Sequence, residues 1–545
     1  MMPPLRHVHA VSAGPAAGDE WDEVAMDRKW WTLIAVCLGT FMLLLDVTIV
    51  TVALPAVAAS LHASFSDLQW VVDAYALTLA SFMLTGGALA DLVGRRAVFA
   101  GGVVIFTAGS LLCGFATGPL FLVLARGFQG VGGAAMFATA LALLAHAFRG
   151  RERGTAFAVW GAVTGVAVAL GPLLGGILTT DLNWRWIFFV NVPIGLGAVA
   201  VALRRVEESK NPGAARPDLA GFVLFTAGLA ALVYALIRAD EHSFTDSGVL
   251  ASFSVAAVLL AAFVAVERRA AAPMFDLSLF GVPTFSGGLA AAFGISASIW
   301  SLLIYIVLYL QELLGYSALQ AGVRLIIMSG AILLVSSVAG HLTSHVPTRL
   351  LVGPGLAVIG VSLLLLRGLD AQSTWTHLIP GFVVGGLGAG IVNPPLASTA
   401  VGVVEPQRAG MASGINNTFR QVGIATGIAL LGSLFATAER SRLAAALAHV
   451  PLLAPHTAAI AADLRNGSEA RALGALPAPL RATLEGALRS SFTGALNEIL
   501  LVAAIIAFVA ALASLLLIRN RDFAAGHQTA AHPAPEPVVR AAVEV

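Results

Sequence analysis

The sequence predicts an all-α membrane protein of fourteen transmembrane helices, built as two six-helix bundles in a parallel pseudo-repeat with a helix pair inserted between them. Composition is the first ground for this. Hydrophobic residues make up 58% of the 545, charged residues 11%, and the mean hydropathy is +0.87, all far from the values of soluble domains. The second ground is the length of the apolar runs, and the third is a loop string that occurs twice.

A span of the hydrocarbon core takes about 20 apolar residues. Runs of that order cover 31–57, 70–90, 97–117, 120–148, 154–180, 186–203, 219–237, 248–266, 285–310, 321–340, 350–369, 378–402, 410–438 and 495–518. In lipid the backbone must satisfy its own hydrogen bonds, so these runs are helices. Barrel strands would be about half as long and would alternate in polarity. The expected order is a tail (1–30), a first bundle (31–205), the inserted pair (217–268), a second bundle (284–518) with a long loop at 439–494, and a second tail (519–545).

The first tail carries Glu20, Asp22 and Glu23 and lacks an apolar core before Trp30, so it is not a secretory signal. Met26, followed by Asp27-Arg28-Lys29-Trp30-Trp31, is an alternative initiator to Met1. A net charge of +1 excludes a polybasic nucleic-acid binder. Cys37 and Cys113, the only two cysteines, lie in apolar runs and read as small buried side chains. His341 and His345 have metal-ligand spacing but no third ligand nearby, so no metal site is expected.

Orientation follows from the short loops. One set holds Arg95 and Arg96, then Arg149, Arg151 and Arg153, then Arg204, Arg205, Lys210 and Arg216, then Arg268, Arg269, Arg349 and Arg408; the other has Arg185, Arg238 and Arg367. The arginine-rich side is expected to be cytoplasmic, with both termini inside. The loop 439–494 carries six arginines on the other side, but it is too long for the charge rule to weigh heavily. Residues 481–489 within it read as a surface helix.

The repeated string follows the second and tenth helices. Gly87-Ala88-Leu89-Ala90-Asp91-Leu92-Val93-Gly94-Arg95-Arg96 aligns without gaps to Gly340-His341-Leu342-Thr343-Ser344-His345-Val346-Pro347-Thr348-Arg349. Gly87, Leu89, Val93 and Arg96 meet Gly340, Leu342, Val346 and Arg349, while Ser344 stands opposite Asp91. Two copies eight helices apart give six helices, an inserted pair and six more.

Several strings together resemble the major facilitator superfamily, and more narrowly its fourteen-helix drug:proton antiporters, over about residues 30–520. Leu45 to Pro55 resembles the first-helix motif, with Thr51 where asparagine is common. Gly87 to Arg96 resembles the loop motif, with Leu92 in place of an arginine. Residues Arg126 to Gly132 resemble the fourth-helix motif, and Gly171-Pro172-Leu173-Leu174-Gly175-Gly176 the fifth-helix antiporter motif, where Ala167 occupies a position that is often glycine. Asn183-Trp184-Arg185-Trp186 and Asn191-Val192-Pro193-Ile194-Gly195 resemble the same subfamily. The resemblance implies an antiporter helix carrying Gly161, Gly165, Gly171, Pro172, Gly175 and Gly176, and associates it with export.

Asp46 is the lone acid of the first apolar run, about 15 residues or roughly 22 Å from its start. Arg126 lies about 7 residues, or roughly 10 Å, into the fourth run from the opposite side. Both fall at similar levels, and a carboxylate at such depth costs roughly 2.5–3.5 kcal/mol to insert. The pair is the candidate for proton coupling; the alternative is a static ion pair that only fixes helix packing. Gly87, Asp91, Gly94, Arg95 and Arg96 are the candidate gate loop, Asp91 docking on a neighbouring helix N-terminus, or else a topological anchor of positive charge. Gly130-Val131-Gly132-Gly133 lies mid-helix with no strand before it and reads as close helix packing, not a dinucleotide site. Gln129, Tyr309, Gln311, Asn393, Asn416, Asn417, Arg420 and Gln421 are the candidate substrate cavity.

The expected function is a secondary active exporter of the bacterial cytoplasmic membrane, exchanging a small lipophilic compound for protons as a monomer. It would need no cofactor beyond the proton-motive force. A proton-coupled nutrient importer would share the fold. A membrane-embedded enzyme is disfavoured because no nucleophile–base pair lies near the membrane surface.

Overall fold

The computed structural model describes residues 27–523 apart from 149, 211–217, 243, 271–272, 274, 344, 405–408 and 449–477. Both tails beyond these limits, with Met26, and the centre of the loop 439–494 lie outside the described residues.

Fourteen helices among the described residues are long and apolar enough to cross a membrane. In chain order the spans are α1 (Arg28–Leu61), α2 (Phe65–Val93), α3 (Arg95–Gly114), α4 (Pro119–Ala147), α5 (Val159–Leu182), α6 (Trp186–Arg205), α7 (Leu219–Ala239), α8 (Ser247–Glu267), α9 (Pro283–Leu313), α10 (Ala318–Gly340), α11 (Thr348–Leu365), α12 (Trp375–Ala400), α13 (Met411–Ala448) and α14 (Leu480–Leu517).

Local chemistry sets many of the boundaries. Ser64 and Asp67 form a capping box at the start of α2, with Ser64 N donating to Asp67 Oδ2 at 2.8 Å and Asp67 N to Ser64 Oγ at 3.2 Å. Ser317 and Gln320 form the same device at the start of α10. The two boxes precede the two copies of the loop string by the same distance, 64 to 87 and 317 to 340, so the pseudo-repeat extends through both whole helices. Pro119 opens α4, where its missing N–H costs nothing. Gly94, at φ +132°, makes the break between α2 and α3 that an L side chain resists.

α1 to α6 pack around one apolar core that includes Leu43, Phe99, Phe106, Met136 and Phe148. α9 to α14 pack around a larger one with Tyr305, Tyr309, Leu356 and Leu500, which runs on into the first half through residues such as Ile49, Val57 and Leu122. The inserted α7 and α8 lie against each other, and α7 also touches both halves: Ala76 of α2, Val233 of α7 and Ala425 of α13 share one cluster. The Phe82 and Phe222 rings meet edge-on at 4.7 Å. The inserted pair therefore covers the seam between the halves on one flank.

The stretch 481–489, read from sequence as a separate surface helix, is instead the first part of an unbroken helix, Ala478–Leu517. It runs beside the extension of α13, whose helix is Ala409–Ala448. Leu443, Leu447 and Leu484 form a small apolar cluster between the two, and Arg442 pairs with Glu498. With 40 residues each, both helices are about 60 Å long, twice the hydrocarbon core, so they must project from it.

Candidate functional site

Asp46 has no solvent exposure, and its carboxylate is held by groups from two other helices. Arg126 Nη1 of α4 donates to Oδ2 at 2.5 Å, and Gln129 Nε2 of α4 donates to Oδ1 at 2.9 Å. Asn191 Nδ2 of α6 reaches Oδ1 at 3.4 Å and donates to Ser110 Oγ of α3 at 3.0 Å. Ser110 in turn donates to the Phe188 carbonyl at 2.9 Å. Arg126 donates further to Gln129 Oε1 at 2.7 Å and to the Val71 carbonyl of α2 at 3.2 Å. Its guanidinium lies 4.2 Å from the centre of the Tyr75 ring. α4 presents Arg126 and Gln129 one turn apart on the same face. Glycines along that helix let its neighbours close in: a Cβ at Gly130 would lie 2.6 Å from the Tyr75 carbonyl.

A buried ion pair gains little net stability over apolar residues of the same volume. Here the carboxylate accepts from Arg126, Gln129 and Asn191, and the guanidinium finds three acceptor oxygens and a ring. The charges are balanced only while α1, α4 and α6 stay in register. Gln129, a cavity candidate from sequence, has both ends of its amide engaged in this cluster, with Cys113 Sγ also at 3.7 Å from its oxygen.

The other cavity candidates divide into two groups. Tyr309 is buried and donates to the Ser373 carbonyl at 3.1 Å, within the second half. Gln311 crosses to the first half, donating to the Val52 carbonyl at 2.7 Å. Asn393 lies on α12, and Asn416, Asn417, Arg420 and Gln421 lie on α13. Arg420 Nη2 donates to Asn393 Oδ1 at 3.2 Å, and no carboxylate among the described residues lies within 4 Å of its guanidinium. Arg324 stacks between Tyr316, at 3.7 Å, and Trp375, at 4.8 Å.

Asp73 is a second buried acid, outside the motif strings. It is fully buried on α2, and neither carboxylate oxygen has a hydrogen-bond partner among the described residues. Residues 69, 73, 76 and 80 share the face of α2 that packs on α13. Gln69 Nε2 donates to the Ile428 carbonyl at 3.3 Å, and Thr418 Oγ1 to the Ala80 carbonyl at 3.4 Å. Asp73 thus sits inside the seam between the halves. Asn191 carries no signal beyond its place in the string 191–195, and only the fold brings it to Asp46.

The glycines of α5 behave differently along the helix. A Cβ at Gly171 would lie 1.8 Å from Thr48 Oγ1, and one at Gly175 2.8 Å from the Ile49 carbonyl, both on α1. A Cβ at Gly176 would lie 2.6 Å from Leu319 Cα of α10, and one at Gly322 2.2 Å from the Pro172 carbonyl oxygen. Leu319 N also donates to Thr180 Oγ1 at 3.1 Å. Toward the arginine-rich face the helices part: Gly165 meets only the tip of Leu333, and Gly161 has nothing within 4 Å. On this flank α5 and α10 are close on the face away from the arginines and loosened toward them, while on the other flank α2 meets α13 near the arginine-rich end, where a Cβ at Gly414 would lie 2.6 Å from Leu84 Cδ2.

In the gate loop Asp91 Oδ1 accepts from Arg95 Nε at 3.0 Å and Nη2 at 2.8 Å. The carboxylate on the N-terminus of α3 is that of Glu208, which accepts from Arg96 N at 2.9 Å and Ala97 N at 3.1 Å. Gly87 and Gly94 flank this arrangement, and Arg96 Nη1 donates to the Val206 carbonyl.

Residues 36–428 match the family model described as Major Facilitator Superfamily. The chain is 38% identical over 406 residues to the multidrug resistance protein Stp of Mycobacterium tuberculosis (strain CDC 1551 / Oshkosh), covering 74% of this chain and 75% of that one. It is 39% identical over 405 residues to the cephamycin export protein CmcT of Amycolatopsis lactamdurans, covering 73% and 83%. The tetracenomycin C resistance and export protein of Streptomyces glaucescens is 32% identical over 491 residues, covering 90% and 91%. Among solved structures, a bacterial homolog of the human lysosomal transporter Spinster, inward-facing and unoccupied, shares the fold with a TM-score of 0.59 at 18% identity, covering 90% of this chain and 98% of that one. Family model, relatives and shared fold agree: this multi-pass membrane protein belongs to the major facilitator superfamily.

Proposed function

We propose that the protein exports a small lipophilic, antibiotic-like compound across the bacterial cytoplasmic membrane in exchange for protons, by alternating access of its two halves. The observation that carries this reading is the Asp46 cluster. A carboxylate without exposure, held by one guanidinium and two amides, meets water only when those donors withdraw. Helix movement in the first half and proton exchange at Asp46 are then one event. The relatives named for multidrug resistance, cephamycin export and tetracenomycin export support the direction of transport and the substrate class.

With the arginine-rich face in the cytoplasm, the loosened side of the seam opens inward and the α5–α10 contact seals the outside. Asn393, Asn416, Asn417, Arg420 and Gln421 supply polar contacts to substrate from the second half. Asp91, with Arg95 and Arg96, latches the cytoplasmic side when it closes. The cycle needs no cofactor, and a single chain contains both halves. One inward charge is worth about 2.3 kcal/mol per 100 mV, and one pH unit adds about 1.4 kcal/mol. One proton thus sustains a concentration ratio on the order of a few hundredfold.

Uptake of a fluorescent lipophilic cation and of a neutral antibiotic into inverted vesicles tests the reading. Accumulation is expected only with a proton gradient directed outward from the vesicle lumen, and Asp46→Asn is expected to abolish it while still reaching the membrane. Accumulation by Asp46→Asn at the parent rate, or flux indifferent to the gradient, would overturn it.

A further inference from the structure

The arginines of the arginine-rich face are not equivalent in the two halves. In the first half four of the described basic side chains near that surface have a carboxylate: Arg28 with Glu207 at 3.2 Å, Lys29 with Glu152 at 3.1 Å, Arg95 with Asp91 at 2.8 Å and Arg96 with Glu208 at 3.6 Å, while Arg205 lies over the Trp31 ring and Arg204 and Lys210 stand apart from one another on the surface. In the second half Arg349, Arg519 and Arg521 line one open cleft of ≈ 520 Å³ together with Asn520. Among the described residues neither Arg349 nor Arg519 has an ion pair. Arg521 approaches only Asp522, at 3.9 Å, the outer limit of such a contact.

The cleft is held in place by the start of α9. Arg519 N donates to Thr284 Oγ1 at 2.7 Å. Asp522 Oδ2 accepts from Thr284 N at 3.1 Å and from Thr284 Oγ1 at 2.6 Å. That oxygen is therefore committed to the helix start and leaves the arginines largely uncompensated. Arg349 stands in the first turn of α11, where the helix dipole adds positive potential. α11 and α14 pack closely below it: a Cβ at Gly353 would lie 2.5 Å from Leu515 Cγ. On the same two helices, within two turns of the cleft, Leu350, Leu512, Leu515 and Leu516 are exposed.

From this placement we infer that the cleft binds the phosphate of an anionic phospholipid of the cytoplasmic leaflet, its acyl chains lying along the exposed leucines of α11 and α14. Arginine forks match phosphate oxygens in pairs. Basic pockets between helix ends on the cytoplasmic side suit anionic headgroups. The occupant bridges α9, α11 and α14 at their cytoplasmic ends and steadies the second half. The inference depends on the arginine-rich face being cytoplasmic and not on proton exchange.

Thermal unfolding of the purified full-length protein in neutral detergent, with native mass spectrometry of bound lipid, tests it. Phosphatidylglycerol is expected to raise the midpoint temperature and to remain bound, whereas phosphatidylcholine and inorganic phosphate at equal concentration do neither. Arg349→Gln with Arg519→Gln and Arg521→Gln is expected to lose the response and several-fold of the lipid retention, while Arg28→Gln keeps both. Should the triple variant be unstable, Arg349→Gln alone is expected to lose part of the response, and Arg349→Lys less of it. An equal response to phosphatidylcholine, an equal response to inorganic phosphate, or an undiminished response in the arginine variants would overturn the assignment.

Discussion

Asp73 and Asp46 are both acids without exposure inside the membrane, yet their surroundings are opposite. Asp46 has three donors; Asp73 has none among the described residues. A buried polar group without a partner costs about 1–3 kcal/mol, and proteins keep such groups where function needs them. Asp73→Val is therefore expected to stabilise the fold by roughly that amount while lowering transport. Thermal unfolding in detergent, beside vesicle flux, measures both; a fall in stability would show that the acid has a structural partner. Asp46 and Arg126 were legible as isolated charges deep in apolar runs. Asp73 was not, because the apolar run begins only at Trp70 and makes position 73 look interfacial. The capping box at Ser64 starts the helix at Phe65, so Asp73 stands about 12 Å along it. Depth has to be counted from the cap, not from the hydropathy.

At the scale of elements, the α5–α10 contact is built from absent side chains. Gly322 receives the Pro172 carbonyl, and Gly176 receives the backbone of Leu319. A methyl at position 322 would meet a backbone oxygen, which cannot rotate away. Overpacking of this kind costs about 1–3 kcal/mol, and each 1.4 kcal/mol moves a two-state balance about tenfold. Gly322→Ala is expected to shift the population away from this closed arrangement. Thr180→Cys, beside the contact, should then react roughly tenfold faster with an impermeant maleimide from the face away from the arginines. Unchanged labelling would mean that the contact does not gate that face. The importance of the α5 glycines was readable as a motif; their unequal use was not, because spacing is silent about which partner approaches. The continuous helix Ala478–Leu517 was hidden for another reason. Its first turns carry arginines and glycines that interrupt the hydropathy but not the helix, and Pro479 fits its first turn without cost.

For the whole molecule, the two halves and the inserted pair were legible because a single loop string recurs eight helices apart. What covers the seam was not, since α7 gives no sign in its sequence of touching both α2 and α13. The same seam fixes how the halves must move. α5 and α10 run antiparallel, with 176 against 319 and 172 against 322. Gly165 next meets the side chain of Leu333, and one turn beyond that contact 161 comes opposite 337, where Gly161 has no neighbour within 4 Å. If the halves rock as rigid bodies, closure near 161 and 337 must accompany separation near 180 and 319. Two cysteine pairs, Gly161→Cys with Ser337→Cys and Thr180→Cys with Leu319→Cys, report the two ends. Oxidation in membranes is expected to join the second pair in the resting protein and to spare the first. Imposing a proton gradient with substrate present should raise the yield of the first at the expense of the second. If both pairs close together in the same molecules, the seam does not rock about a central fulcrum, and the alternating access proposed for the export cycle fails.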